Sequence, residues 1–347
     1  MEASILSALS GFNLKSTKAK IYRDKFGHVC STNLGVVRLQ KIPRSVKKDA
    51  INEILFQHSI KEHLHNNGFG VDRLLLSVHN TPYYGSGSGS GFGDDIFTAS
   101  IVHNLPNVSF LDSDDFLDVV AHIGKMHHVL MSLQEDDYIL ANRHSHSHSH
   151  SHSQNNGNSS SQDQKAQSAL SNLKHLRKKI LNGGKFSDFD MLFIKGYEAF
   201  APNIAEFADY VDEIEGFTSS NYHICHNLLK EENIFRDNAH IIVTNFSKAA
   251  FGYCHNDLAY LIKRMVKAKP MTMPPFKKVI ATYIEACNDI EFDMAHFKRV
   301  LLYPDKLIKV VGDYYNKKRR FAPNAYITRM SECLRAGLIL QNYTKGE

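Results

Sequence analysis

The chain changes character about a third of the way along, and that change limits the architectures open to it. Its first part carries short β-type runs, Gly27-His-Val-Cys and Gly35-Val-Val-Arg-Leu-Gln-Lys-Ile, the second ended by Pro43, which fixes φ and removes a ladder donor. One helix interrupts them. From about Val46 to Asn66, Ile51, Ile54, Leu55, Ile60 and Leu64 roughly follow helical spacing, and Gly68 breaks the run. Strand-like sequence returns at Arg73-Leu-Leu-Leu-Ser-Val and near Ile96. Gly85-Ser-Gly-Ser-Gly-Ser-Gly between them has the composition of a flexible loop and lacks the G-K-[ST] ending of a phosphate cradle.

Beyond that point the pattern is mostly helical. Phe116, Val119, Val120, Ile123, Met126 and Leu130 form an amphipathic stripe, with Asp112 to Asp115 as N-terminal caps. Further helices are expected over Leu173 to Leu181, Phe189 to Val211, Leu258 to Met265, Phe276 to Cys287, Met294 to Leu302 and Tyr326 to Leu340. Pro202 predicts a kink or break in the second of these. A strand pair is expected around Ile234-Phe235 and His240 to Thr244. β-rich sequence followed by α-rich sequence predicts a two-lobed α+β fold, with an N-lobe over residues 1–102, its Gly/Ser loop at 85–91, and a helical C-lobe over 103–347. A low-complexity insert at 142–165 cannot bury enough surface to fold alone.

Composition narrows the function classes. In 347 residues, 43% hydrophobic content supplies a core, and the net charge of +5 is mild. Lys317 to Arg320 is the main basic cluster and reads as a solvated face, so no nucleic-acid partner is expected. The five cysteines are odd in number and form no C-x-x-C pair, which argues against a disulfide framework or a zinc site. No run of 18 apolar residues exists, so no transmembrane segment is expected. The opening MEASILSALSGFNLKST has no basic residue ahead of its apolar ones, so no signal peptide is expected.

The chemistry-bearing stretch is Ile224-Cys-His-Asn-Leu-Leu-Lys-Glu-Glu-Asn-Ile-Phe, then Ile241-Ile-Val-Thr-Asn-Phe-Ser, then Asn256-Asp-Leu-Ala-Tyr-Leu-Ile. It resembles the H-G-D-x-x-x-x-N loop, the following D-x-D-type segment and the D-L-A helix start of aminoglycoside-phosphotransferase-like kinases. Lys61-Glu-His-Leu-His-Asn-Asn-Gly-Phe, Lys185-Phe-Ser-Asp-Phe-Asp-Met-Leu-Phe, Tyr303-Pro-Asp-Lys and Tyr314-Tyr-Asn-Lys resemble segments of CotS-type bacterial spore-coat proteins, which share that kinase-like fold. The resemblance covers about residues 20 to 340 without the insert.

The resemblance implies a bilobal, protein-kinase-like fold. It also implies a protein made in the mother-cell cytoplasm, deposited in the spore coat, and partnered there by other coat proteins. In such a kinase the loop Asp positions or deprotonates the acceptor hydroxyl, while the loop Asn and the next Asp hold magnesium against the phosphates. Here His226 matches the His and Asn233 the metal-binding Asn, but Leu228 stands at the catalytic Asp and Asn245 at the metal-binding Asp. Leucine cannot accept a proton, and an amide oxygen is a poor ligand for magnesium. Asp257 matches the Asp that opens the D-L-A helix, and reads as a cap or loop brace. The strand Lys that pairs with phosphates falls at Gln40, with Lys41 on the opposite face unless a bulge exchanges them. Its helix Glu falls at Gln57, with Glu53 one turn earlier as the substitute in another register.

Three functions follow from these departures. The first is a non-catalytic pseudokinase in the coat, with no cofactor. The second is an atypical active kinase using ATP and magnesium, with Glu231 or Glu232 as base. The third is a metal-binding coat protein acting through His144, His146, His148, His150 and His152, which alternate with Ser and place their imidazoles on one side of an extended chain. A neutral spacer or a pH-sensitive segment accounts for the same tract. His226 is either catalytic or a prop for the loop, and Asn233 either a metal ligand or a brace.

Overall fold

The computed structural model describes residues 2–16, 22–24, 27–42, 47–86, 95–101, 113–133, 163–213, 222–238, 240–268, 272–288, 291–316 and 322–345. The chain divides into two compact units, one of residues 1–109, 125–147 and 224–251, the other of 110–124, 148–223 and 252–347. The His-Ser tract and Lys317 to Arg320 lie outside the described residues.

In the first unit, helix α1 (Glu2–Gly11) precedes a five-stranded antiparallel sheet of β1 (Tyr22–Asp24), β2 (Gly27–Thr32), β3 (Gly35–Ile42), β5 (Tyr84–Ser86) and β6 (Asp95–Ile101), in the order β1-β2-β3-β6-β5. The β-type reading of the N-terminal stretch overlooked α1. Its apolar Ile5, Ala8, Leu9 and Phe12 recur at helical spacing and are buried against Cys30, Val37, Leu39, Phe97 and Ala99 of the sheet. The pairs Arg38↔Ser100, Gln40↔Thr98 and Ile42↔Ile96 alternate with these core positions and define the opposite face.

Helix α2 (Lys47–Asn66) ends in a Schellman turn. Gly68 takes φ +82°, the Phe69 N–H reaches Leu64 O at 2.9 Å, and the Gly68 N–H reaches His65 O at 2.9 Å. Two residues later β4 (Gly70–Val71) runs parallel to β9 (His240–Val243), which pairs antiparallel with β8 (Ile234–Asp237). The expected strand at Arg73 to Val78 does not form. That stretch makes one bridge, Leu74↔Ser100, and then turns through Asn80 at φ +56°. Its run of three leucines lacks the alternation of a half-buried strand, and Leu76 is exposed. β7 (Tyr222–Cys225) and β10 (Ala250–Tyr253) form a separate two-stranded sheet.

Helix α3 (Ser113–Met131) runs from the second unit into the first. The second unit also holds α4 (Asp163–Asn182), α5 (Asp188–Glu213), α6 (His255–Ala268), α7 (Phe276–Cys287), α8 (Met294–Leu302), α9 (Asp305–Tyr315) and α10 (Pro323–Lys345). The first of these begins inside the 142–165 stretch read as insert, and its Ala166 is buried. Ser187 and Asp190 cap the start of α5 reciprocally, at 3.2 and 2.8 Å, and the helix continues unbroken through Pro202. Phe189, Phe193, Phe200, Leu307, Val311 and Met330 form the core, with the Phe189 and Tyr314 rings stacked at 3.8 Å. Among the described residues no helix is long and apolar enough to cross a membrane.

This unit contains a histidine that folding keeps neutral. His296 is buried, with Tyr253, Tyr210 and His255 around its ring and Asn256 Oδ1 at 3.4 Å from Nε2. Burial lowers its pKa to about 4; Asp293 opposes that shift and Arg299 adds to it. Burial would raise the Asp293 carboxyl, but bonds from the His296 N–H and the Tyr210 hydroxyl hold it low. The unfolded chain binds a proton at His296 that the folded chain refuses. Stability is therefore full above pH 6.5 and declines as pH falls toward 4. The expected loss is about 3 kcal/mol across that window. Thermal melts should show His296→Gln with a shallower decline than the wild type.

Candidate functional site

The first unit contains an open cleft of about 420 Å³ whose walls mix polar and apolar side chains. β3 and β6 supply Arg38, Gln40, Thr98 and Ser100 from the sheet face opposite the core, and α2 supplies Glu53, Gln57 and Lys61. The loop after β4 supplies Asp72, and the β7–β9 region supplies Glu232, Asn233, Thr244 and Asn245. Pairing between β3 and β6 runs without a skipped residue from Val37↔Ile101 to Ile42↔Ile96, so no bulge intervenes. Gln40 therefore lies on the cleft face; Lys41, paired with Phe97, starts from the other face but also borders the cleft.

The loop from Cys225 to Asn233 is held by its own polar groups. His226 is fully buried; Nε2 donates to Thr244 O at 3.0 Å and Nδ1 accepts the Leu228 N–H at 3.2 Å. An amide N–H can only donate, so Nδ1 carries no proton and the ring is the Nε2–H tautomer. Both nitrogens are thus spent on bracing the backbone. Asn227, at φ +58°, donates to Lys248 O at 3.2 Å. The Asn233 amide donates to Leu228 O at 2.8 Å, and its backbone carbonyl accepts the Thr244 N–H at 2.9 Å. Leu228 is half-buried, and the adjacent Leu229 is fully buried.

Asn245 meets Asn233 directly. Its Nδ2 donates to Asn233 Oδ1 at 3.4 Å, its Oδ1 accepts from Ser247 Oγ at 2.8 Å, and its backbone takes φ +66°. The Asn245 N–H is held by Asp72 Oδ1 at 3.2 Å, while Asp72 Oδ2 binds Lys61 Nζ at 3.2 Å. Lys61 is 3% exposed and Asp72 18%, so the pair is largely removed from water. The donor set here is poor for a magnesium ion, since neither 233 nor 245 carries a carboxylate. The oxygen Asn233 would offer it already accepts an N–H, both Asp72 oxygens are engaged, and no cluster of three or more His, Cys, Asp or Glu forms among the described residues.

The structure thus brings Gln40, Gln57, Asn233 and Asn245 to one cleft. Asp257 lies in the second unit, fully buried in the first turn of α6. Lys61 and Asp72 were missed as site residues. Glu53, Gln57 and Lys61 recur every four positions, which marks one helix face and was available to reading. Asp72 gave no such signal, because its place depends on the parallel β4–β9 pairing.

The fold is similar to that of an aminoglycoside phosphotransferase from Alicyclobacillus acidocaldarius, with a TM-score of 0.68 at 11% identity over 98% of this chain and 95% of that one. A spectinomycin phosphotransferase bound to AMP gives 0.65 at 11% identity, over 100% and 98% of the two chains. An amicoumacin kinase in complex with AMP-PNP and Ca²⁺ gives 0.61 at 13% identity, over 96% and 92%. The chain has an aminoglycoside-phosphotransferase-like kinase fold, α+β, with an N-terminal antiparallel sheet and a helical C-terminal part. No family model matches the sequence, and no curated protein does.

The Lys61–Asp72 pair is testable through stability. Lys61→Met leaves a carboxylate uncompensated in a largely buried site and should cost about 3 to 5 kcal/mol. Adding Asp72→Asn removes that charge yet keeps an oxygen for the Asn245 N–H, and should recover most of the loss. Urea-denaturation midpoints of the two variants measure the difference.

Proposed function

We propose that this protein is a kinase-fold component of the bacterial endospore coat that does not transfer phosphate. Its role is structural or binding, with other coat proteins as partners. The observation that carries the non-catalytic part is the direct Asn245–Asn233 hydrogen bond in a loop frame where Leu228 replaces the acid. The frame is kept by His226, yet a divalent ion would meet an amide N–H where a carboxylate is needed. The coat assignment is supported by the sequence resemblance to CotS-type proteins alone.

One observation favours a rival. The cleft is open, and the Glu232 carboxylate on its wall is 3.8 Å from Lys230 Nζ. An atypical kinase could use that carboxylate as its base.

Incubation with labelled ATP and magnesium is expected to give no phosphoryl transfer to water, to the protein itself or to isolated coat proteins. Turnover that falls about 100-fold in Glu232→Gln would replace this reading with the active one. The double variant Leu228→Asp, Asn245→Asp should be less stable than the wild type without metal, because it puts a carboxylate on the residue whose N–H Asp72 holds. Magnesium should restore its melting temperature while leaving that of the wild type unchanged.

A further inference from the structure

We infer that the cleft is a binding site for an uncharged, hydroxyl-bearing small molecule, a nucleoside or a saccharide, taken up without a metal ion. This rests on the preceding reading that the cleft does not process a magnesium–nucleotide complex. Its volume of about 420 Å³ suits a small-molecule ligand. The charges on its walls balance, with Arg38, Lys41 and Lys61 against Glu53, Asp72 and Glu232. They are also engaged: Lys61 with Asp72, Glu232 with Lys230, and Arg38, Lys41 and Glu53 with partners of their own. A polyphosphate without metal would bring several negative charges beside three carboxylates and gain no net positive field.

The groups left over are neutral. Gln40, Gln57, Thr98 and Ser100 line the cleft and make no side-chain hydrogen bond among the described residues. They converge from two walls: Gln40 and Thr98 are cross-strand partners, Ser100 lies next along the same face of β6, and Gln57 comes from α2. Thr98 borders the cleft and is only 7% exposed. Carboxamides and hydroxyls both donate and accept, which matches a ligand hydroxyl; a phosphate oxygen accepts only and would leave half of that capacity unused. Ile42, Ile54 and Phe235 on the walls give a ring's C–H face somewhere to lie.

The test is titration of the full chain in EDTA with adenosine, with maltose and with ATP, followed by saturation-transfer NMR and calorimetry, and repeated with magnesium. Adenosine or maltose is expected to bind at millimolar concentration or below, ATP more weakly than adenosine, and magnesium to change neither. Binding of adenosine alone assigns the nucleoside class, and of maltose alone the saccharide class. Gln57→Leu should weaken binding about tenfold. Gln40→Leu, at an exposed strand position that folding tolerates, should do the same with an unchanged melting temperature. Failure of both neutral probes, affinity unaltered by both variants, or magnesium-dependent ATP binding tighter than adenosine overturns the inference. The labelled-ATP assay answers separately: absence of neutral-ligand binding leaves a non-catalytic protein, and turnover there overturns that reading even where adenosine binds.

Discussion

The Asp72 carboxylate ties together parts of the first unit that are far apart in sequence. One oxygen holds the ammonium of Lys61 on α2, and the other holds the backbone N–H of Asn245, 173 residues along the chain. Its position is set by Gly70. A β-carbon there would lie 2.7 Å from Ile242 Cγ1 and 3.1 Å from Ile241 O, so a side chain would force β4 off β9. Close parallel pairing puts Asp72 just past the end of β4, level with the turn at Asn245. The cleft wall thus depends on a glycine, a two-residue strand and one carboxylate, and the ion pair gives that wall a fixed register with α2.

Much of this was legible in the sequence, and the failures have physical causes. Helices with strong periodicity, such as Phe276–Cys287 and Met294–Leu302, agree with their expected bounds because one buried face dictates the spacing. The β8–β9 pair was legible from its short apolar runs. α1 was passed over because small Ala8 carries part of its buried stripe, and Leu74 to Leu76 read as a strand because apolar content was counted without alternation. In the site, the resemblance to the kinase motifs was what singled out Gln40, Gln57, Asn233 and Asn245, and the cleft holds all four. Lys61 and Asp72 came only with the coordinates, because no local pattern records a parallel pairing between residues 70 and 242.

Seen as a whole, the cleft presents hydrogen-bonding amides beside its charged groups. Carboxamides stand on β3, on α2, at the end of the 3₁₀ turn Glu231–Asn233 and after β9. His226 meanwhile keeps the loop in shape through two backbone contacts that need no ionised group. The support of the loop therefore rests on interactions that no ionised group takes part in.

The positive φ of Asn245 carries this separation into the chain's capacity for change. Asparagine and aspartate are the side chains that best tolerate the left-handed region, so exchanging one for the other leaves the turn intact. The exchange toward asparagine takes a negative charge away from the neighbourhood of Asp72, whereas the return would set two carboxylates against each other with no cation between them. The hold of Asp72 on the turn therefore favours a neutral side chain at 245, and a metal site built here would need several changes at once.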